Sequence, residues 1–195
     1  QKIDFDKGPY HAGQGNLATA GYVAFSTRER LDNSSVTLQA GRFGTFKTLG
    51  LFNIANNEKQ SAYIATEYLM TNGPFISPQN FNRLNLMGKY TAYLNDHDKV
   101  SLSVSHFTSK WDASGQVPQR AVNEGLITRF GAIDDTEGGN TARTNINVQF
   151  TKQVDPGTFV KSTAYFSHYD FELYSNFTFF LNDPVDGDQI KQKEN

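Results

Sequence analysis

Val100-Ser101-Leu102-Ser103-Val104-Ser105 and Asn145-Ile146-Asn147-Val148-Gln149-Phe150-Thr151 decide the fold, together with the long stretch Trp111–Thr141 that separates them. In each flank apolar and polar residues alternate, and successive side chains of a strand point to opposite faces. Each flank therefore predicts a strand with one apolar and one polar face. The thirty-one residues of Trp111–Thr141 are charged and rich in turn formers. A connection that long inside a compact domain is functional, or else the strands beside it are misassigned.

Outward from there, the same alternation predicts seven strands: Ser35–Arg42, Thr45–Ala55, Gln60–Thr71, Arg83–Leu94, Lys99–Lys110, Arg143–Gln153 and Thr158–Phe171. Arg83–Leu94 is the clearest, with Leu84, Leu86, Tyr90 and Leu94 opposed to Asn85, Lys89 and Thr91. The connections alternate in length. Asn56–Lys59, Asn95–Asp98 and Val154–Gly157 are short polar turns, whereas Asn72–Asn82, Trp111–Ala142 and Glu172–Asn195 are long. All the long ones fall at one end of the sheet. An up-and-down meander takes this form when its two ends face different surroundings, as in transmembrane barrels with short periplasmic turns and long external loops.

The faces agree with that form. One parity is apolar; the other carries Thr37, Gln39, Glu67, Asn85, Lys89, Asn145, Asn147 and Gln149, too polar a set for a dry core. The expected fold is all-β, an antiparallel up-and-down meander that makes part of a transmembrane β-barrel. A soluble carbohydrate-binding β-sandwich also alternates, and stands as the alternative. Seven strands with open edges are not viable in lipid, so the chain is expected to be a fragment of a longer protein.

The 195 residues contain no cysteine, which excludes a disulfide framework, a thiolate metal site and a cysteine nucleophile. A net charge of −2 gives no basic footprint for nucleic acid. Aromatics make up 13% of a chain with mean hydropathy −0.54, which suits a half-solvated sheet. No run approaches the roughly 20 apolar residues of a membrane helix. No apolar signal segment opens the chain, so an exported protein would be met here from an internal residue. Before the meander, Ile3-Asp4-Phe5-Asp6 and Ala20–Thr27 read as two strands, separated by Lys7-Gly8-Pro9 and the turn-forming Gly13 and Gly15.

These N-terminal residues carry a resemblance. Lys7-Gly8-Pro9, Gly15-Asn16-Leu17-Ala18-Thr19, Ala20-Gly21-Tyr22-Val23 and Thr27 resemble the end of the plug domain of TonB-dependent outer-membrane receptors. Leu38–Phe46 is similar to that family's first barrel strand with its tight connection to the second. Gly115–Val122, Arg129-Phe130-Gly131 and Thr136–Thr141 resemble the third-loop region of a subgroup. The resemblance implies that residues 1–30 end a plug, shaped by Gly8, Pro9, Gly15 and Gly21. Residues 31–195 would then be about seven strands of a 22-stranded barrel in the bacterial outer membrane. It further implies uptake of a scarce solute such as an iron–siderophore complex, with the TonB energy-transducing complex and outer-membrane lipid as partners. A passive porin or an adhesin built on a barrel is the alternative within the membrane class.

Candidate ligand residues concentrate in the long loop. Asp134, Asp135 and Glu137, beside Gly138-Gly139, could serve a hard cation or a cationic ligand, but without calcium-loop spacing they read better as a solvated turn. Arg120, Arg129 and Arg143 suit an anionic chelate, or bracing pairs with Glu124, Asp134 and Glu137. Pro118–Gly125 predicts a short helix. Phe107 and Trp111 are expected in an aromatic girdle at the barrel's edge. His11, His97, His106 and His168 show no metal-ligand spacing, and no nucleophile, phosphate-loop or paired-acid motif stands out. No catalytic residue, metal or cofactor is therefore expected.

Overall fold

The computed structural model describes residues 2–8, 10, 19–178, 180–185 and 187–195; Pro9 and Gly15 of the plug-end motif lie outside them. Among these residues, β1 (Lys2–Lys7) and β2 (Gly21–Ser26) form an antiparallel hairpin of their own. Gly8 N–H donates to the Ala20 carbonyl at 2.8 Å and closes its base. Gly8 and Gly21 have φ of +90° and +146°, and a Cβ on Gly21 would strike the Asp6 carbonyl, so both positions demand glycine.

The other strands form one antiparallel sheet in sequence order: β3 (Ser35–Ala40), β4 (Phe46–Asn56), β5 (Gln60–Thr71), β6 (Phe81–Tyr93), β7 (Lys99–Asp112), β8 (Gly138–Asp155), β9 (Thr158–Asn176) and β10 (Gln189–Glu194). Each strand pairs with the next, and β3 and β10 are open edges. The seven expected strands are present, with two differences. An eighth, β10, lies within residues expected to be loop. In addition β7, β8 and β9 extend past their alternating cores, which confines the long loop to residues 113–137.

Pairing aligns the faces across the sheet. One row reads Phe52, Ile64, Gly88, Val104, Ile146, Phe166, and its large side chains are exposed. On the opposite face the adjoining row reads Leu51, Ala65, Met87, Ser105, Asn145, Ser167. The polar face is braced by its own contacts: Glu67 binds Lys47 at 2.8 Å and Arg83 at 2.7 Å, and accepts from Asn85 at 3.1 Å.

The apolar band crosses the pairing rows obliquely. Val36 and Leu38 of β3 lie level with His106 and Thr108 of β7, beyond that strand's apolar run of Val100, Leu102 and Val104. On β9 the apolar residues Val160, Ala164 and Phe166 lie lower still, level with Lys152, Val148 and Ile146. From β3 to β9 the band's centre falls by about six residues over six strand steps, which at ordinary strand rise and spacing is a slope of roughly 35°. Barrel strands tilt by about 35–45° from the barrel axis, so the band is level when the strands are tilted as in a barrel.

Residues 27–31 run as a strap over the polar face near the short turns. Tyr63 OH donates to the Arg28 carbonyl at 3.0 Å, and Ser61 Oγ donates to the Glu29 carbonyl at 3.0 Å. Lys89 Nζ donates to Thr27 Oγ1 at 3.1 Å, Lys99 meets the Glu29 carboxylate, and the Arg30 guanidinium lies 5.1 Å over the Tyr93 ring. Leu31 is buried, and its carbonyl accepts from Asn56 Nδ2 at 3.2 Å. The strap thus joins the hairpin to four consecutive strands.

Candidate ligand-binding site

The extended ends of β7, β8 and β9 carry the loops 113–137 and 177–188, with loop 72–80 beside them. Within the first, Pro118 caps α1 (Gln119–Asn123), and Gly125 at φ +72° ends it, as the sequence predicts. Arg120 on α1 donates from Nη2 to the Thr178 carbonyl at 3.2 Å, tying this loop to the next.

The three loop carboxylates occupy separate settings. Asp134, 6% exposed, accepts from Thr136 N–H at 2.9 Å, from Thr136 Oγ1 at 2.5 Å and from Asn176 Nδ2 at 3.2 Å. Burial pushes its pKa up, but these hydrogen bonds outweigh burial and leave it below the usual aspartate value. Asp135 is exposed and accepts from Ser77 Oγ at 2.9 Å, which ties the loop to residues 72–80. Glu137 is 5% exposed, and its Oε1 has no hydrogen-bond partner among the described residues. Burial raises its pKa, and the neighbouring Asp134 adds to the rise against a backbone N–H from Asn176. Asn176 is the hub of this arrangement: it is 1% exposed and serves both carboxylates.

Asp134 and Asp135 are therefore held by neutral donors, and no ion pair joins Arg120, Arg129 or Arg143 to Glu124, Asp134 or Glu137 among the described residues. Arg129 is exposed at the loop's rim, next to Phe130. Phe130 packs tilted against Phe75 at 6.5 Å, and its carbonyl accepts from Ile76 N–H at 2.8 Å. Between these two loops lies a cleft of about 460 Å³ lined by Ile76, Ser77, Leu126, Ile127, Thr128 and Asp135.

Below the loops, the polar face changes character. Arg143 on β8 donates from Nε to Asn145 Oδ1 at 3.1 Å and to Ser167 Oγ at 3.2 Å. Its pairing partners on either side are Phe107 and Tyr169, and the Tyr169 ring stacks on Phe171 at 6.1 Å. Trp111 pairs with Gly139, where a Cβ would crowd the indole. Phe107 and Trp111 share the parity of Ser101, Ser103 and Ser105, so the structure places them on the polar face and not in a girdle on the apolar one. The result is an aromatic wall around one guanidinium. Only the Nε of that guanidinium is engaged among the described residues.

Two contributors escape sequence reasoning. Asn176 has no signal beyond a chance glycosylation pattern, and Tyr169 lies in a strand whose parity is indistinct in sequence. His106 bonds Thr144 Oγ1 at 2.9 Å and His168 lies 3.1 Å from Asp170, both on the apolar-face parity. Among the described residues no group of three His, Cys, Asp or Glu side chains is placed to hold a metal ion.

No family model matches the chain, and no curated protein matches it. Among solved structures it is similar to the ferric-catecholate import receptor Fiu from E. coli K12 in its open form, with a TM-score of 0.75 at 11% identity. The match covers 98% of this chain and 33% of the receptor, so the chain spans about a third of that protein's length. At such identity the likeness establishes the fold alone. The chain is an antiparallel meander forming part of a transmembrane β-barrel, preceded by a two-stranded hairpin.

Proposed function

We propose that this chain is the plug end (residues 1–30) and first barrel strands (residues 31–195) of a TonB-dependent receptor in the bacterial outer membrane. The receptor takes up an anionic, aromatic metal chelate of the iron–siderophore kind. Three independent features support this: the plug-end motif, the fold shared with a ferric-catecholate receptor, and the band slope that fits tilted barrel strands. The observation that carries the ligand class is Arg143. Its Nε is held by Asn145 and Ser167, which directs its remaining N–H donors from between Phe107 and Tyr169. A planar, charge-delocalised guanidinium beside aromatic rings suits an anion built on aromatic rings.

Arg129 and the Ile76–Leu126 cleft form the outer part of the same path, where a chelate first lands. Asp134 and Glu137 then serve by holding the loop in shape, with Arg120 and Asp135 fastening it to its neighbours. The solute is driven inward by the TonB complex acting on the plug.

Equilibrium binding of a ferric tris-catecholate to the full-length receptor tests this. Arg143→Ala is expected to weaken binding tenfold or more, and Arg143→Lys to restore part of it. Arg129→Ala is expected to slow association more than it changes retention. Wild-type affinity for every anionic chelate tried, in both Arg143→Ala and a variant lacking residues 113–137, would remove this face from the binding site.

A further inference from the structure

On the face that carries the apolar band, β7, β8 and β9 turn polar well before the loops begin. Beyond the row of Val104, Ile146 and Phe166 come His106, Thr144 and His168, then Thr108, Ala142 and Asp170. Lys110, Asn140 and Glu172 form the next row, and Asp112, Gly138 and Tyr174 the one after it. In a barrel this face points outward. Further strands extend the sheet sideways and a plug fills its inside, so the face stays open whatever completes the barrel.

The two upper rows border a cavity of about 240 Å³, lined by Lys110, Asp112, Asn140, Glu172 and Tyr174 around Gly138. Gly138 has no side chain, which leaves a notch between Asp112 and Tyr174. The acceptors are held in place: Glu172 accepts from Tyr174 OH at 2.9 Å and pairs with Lys191 at 3.2 Å, and Asp112 accepts from Asn80 Nδ2 at 2.8 Å. The donors are free. Neither the Lys110 ammonium nor the Asn140 side-chain amide makes a hydrogen bond or ion pair among the described residues, and both residues are exposed.

A bare anion would meet the Asp112 and Glu172 carboxylates and be repelled. Hydroxyl groups donate and accept, so a polyhydroxylated ligand uses the carboxylates and the amide together. An anionic substituent on that ligand is matched by Lys110. Height decides where such a ligand comes from. Lys110 lies two residues beyond Thr108, roughly 5 Å further from the band along the axis of a barrel with tilted strands, at the level of lipid headgroups.

We infer that this outward cavity seats the phosphorylated sugar headgroup of a lipid in the outer leaflet. Its hydroxyls meet Asp112, Asn140 and Glu172, its phosphate meets Lys110, and its acyl chains run down over the band. The inference rests on the outer-membrane placement proposed above, and not on the identity of any transported solute.

Lipid retention by the full-length receptor in detergent, read by native mass spectrometry, tests it. A lipid with a phosphorylated disaccharide headgroup is compared with phosphatidylglycerol and with an unphosphorylated galactosyl lipid. The first is expected to be retained at least tenfold more than either of the others. Lys110→Ala is expected to bring it down to the level of the galactosyl lipid, and Asn140→Ala to weaken retention of both sugar lipids. Lys152→Ala, on the same face but near the short turns, is expected to change neither. Equal retention of phosphatidylglycerol would reduce the contact to charge and overturn the site, as would wild-type retention in the double variant of Lys110→Ala and Asn140→Ala. Equal occupancy by the free disaccharide phosphate would overturn the lipid source. Ferric tris-catecholate binding by the same variants is expected to be unchanged. Its absence from the unsubstituted receptor would count against the uptake reading, while lipid retention reports on the cavity alone.

Discussion

Asn176 Nδ2 donates to Asp134 Oδ2 at 3.2 Å and so fastens the end of β9 to the loop between β7 and β8. Both residues are buried, so the bond is shielded from water and its loss leaves a carboxylate oxygen without that donor. Removing one partner of such a bond costs about 1–3 kcal/mol. Asn176→Ala is expected to raise protease cleavage and amide exchange in residues 113–137 and 177–188 together, with β5 and β6 unaffected. Loosening of one loop without the other would show that Asn176 does not couple them.

The two carboxylates beside Asn176 respond to pH in opposite senses. Glu137 has a raised pKa in the folded state, so its contribution is complete below its unfolded value and is lost as pH rises through the folded value. Asp134 has a lowered pKa, so its contribution is present above its unfolded value and is lost as pH falls through the folded one. Loop protection is therefore expected to peak in mild acid, between those limits. Glu137→Gln should abolish the decline on the alkaline side and leave the acid limb in place. An unchanged alkaline limb in that variant, followed by amide exchange across pH, would show that Glu137 is not its source.

The meander was legible because its strands pass through surroundings that differ on two faces: alternation in Arg83–Leu94 or Lys99–Lys110 records apolar against polar contact. Where both faces meet water or loops, that record disappears. Gln189–Glu194 holds one apolar residue in six and forms β10 by backbone pairing, helped by Lys191 against Glu172 and Tyr174 rather than by an apolar face. Gly138–Ala142 and Glu172–Asn176 extend their strands for the same reason. Phe107 and Trp111 show the limit of residue type: an aromatic suits both a girdle and a lumen wall, and only the parity of Ser101, Ser103 and Ser105 separates them. In the site, the arginines were visible as candidates. Which of them brace and which remain available depended on Thr178 and Ser167, residues distant in sequence whose roles only folding reveals, together with Asn145 two positions from Arg143.

The strap should behave as an anchor independent of the loops. Tyr63→Phe deletes the hydroxyl that donates to the Arg28 carbonyl and leaves the ring in place. Ser61→Ala does the same at the Glu29 carbonyl. Each is expected to cost about 0.5–1.5 kcal/mol of local stability, and the double variant about the sum or slightly more, because the bonds share one segment. Cleavage by a protease after Arg28 or Arg30 measures it: the double variant should be cut severalfold faster, with chelate affinity unchanged. Wild-type cleavage rates would show that the strap is held by other contacts.

The slope of the apolar band makes a prediction that a level band does not. Leu38 on β3 and Thr108 on β7 stand in the same pairing row, linked through Thr48, Tyr68 and Leu84. If strands ran straight across a bilayer, the two positions would lie at equal depth. With strands inclined by roughly 35° at their usual spacing, four strand steps separate them by about 11 Å along the barrel axis, with Thr108 nearer the loop end. Single substitutions Leu38→Cys and Thr108→Cys, labelled with a fluorophore in vesicles, report depth through quenchers placed along the lipid tail. Leu38 should be quenched from mid-chain positions, as Val104→Cys should be, and Thr108 from near the headgroup. Equal depth at the two would mean that the band does not mark a membrane plane, and the barrel geometry inferred from it would fall with it.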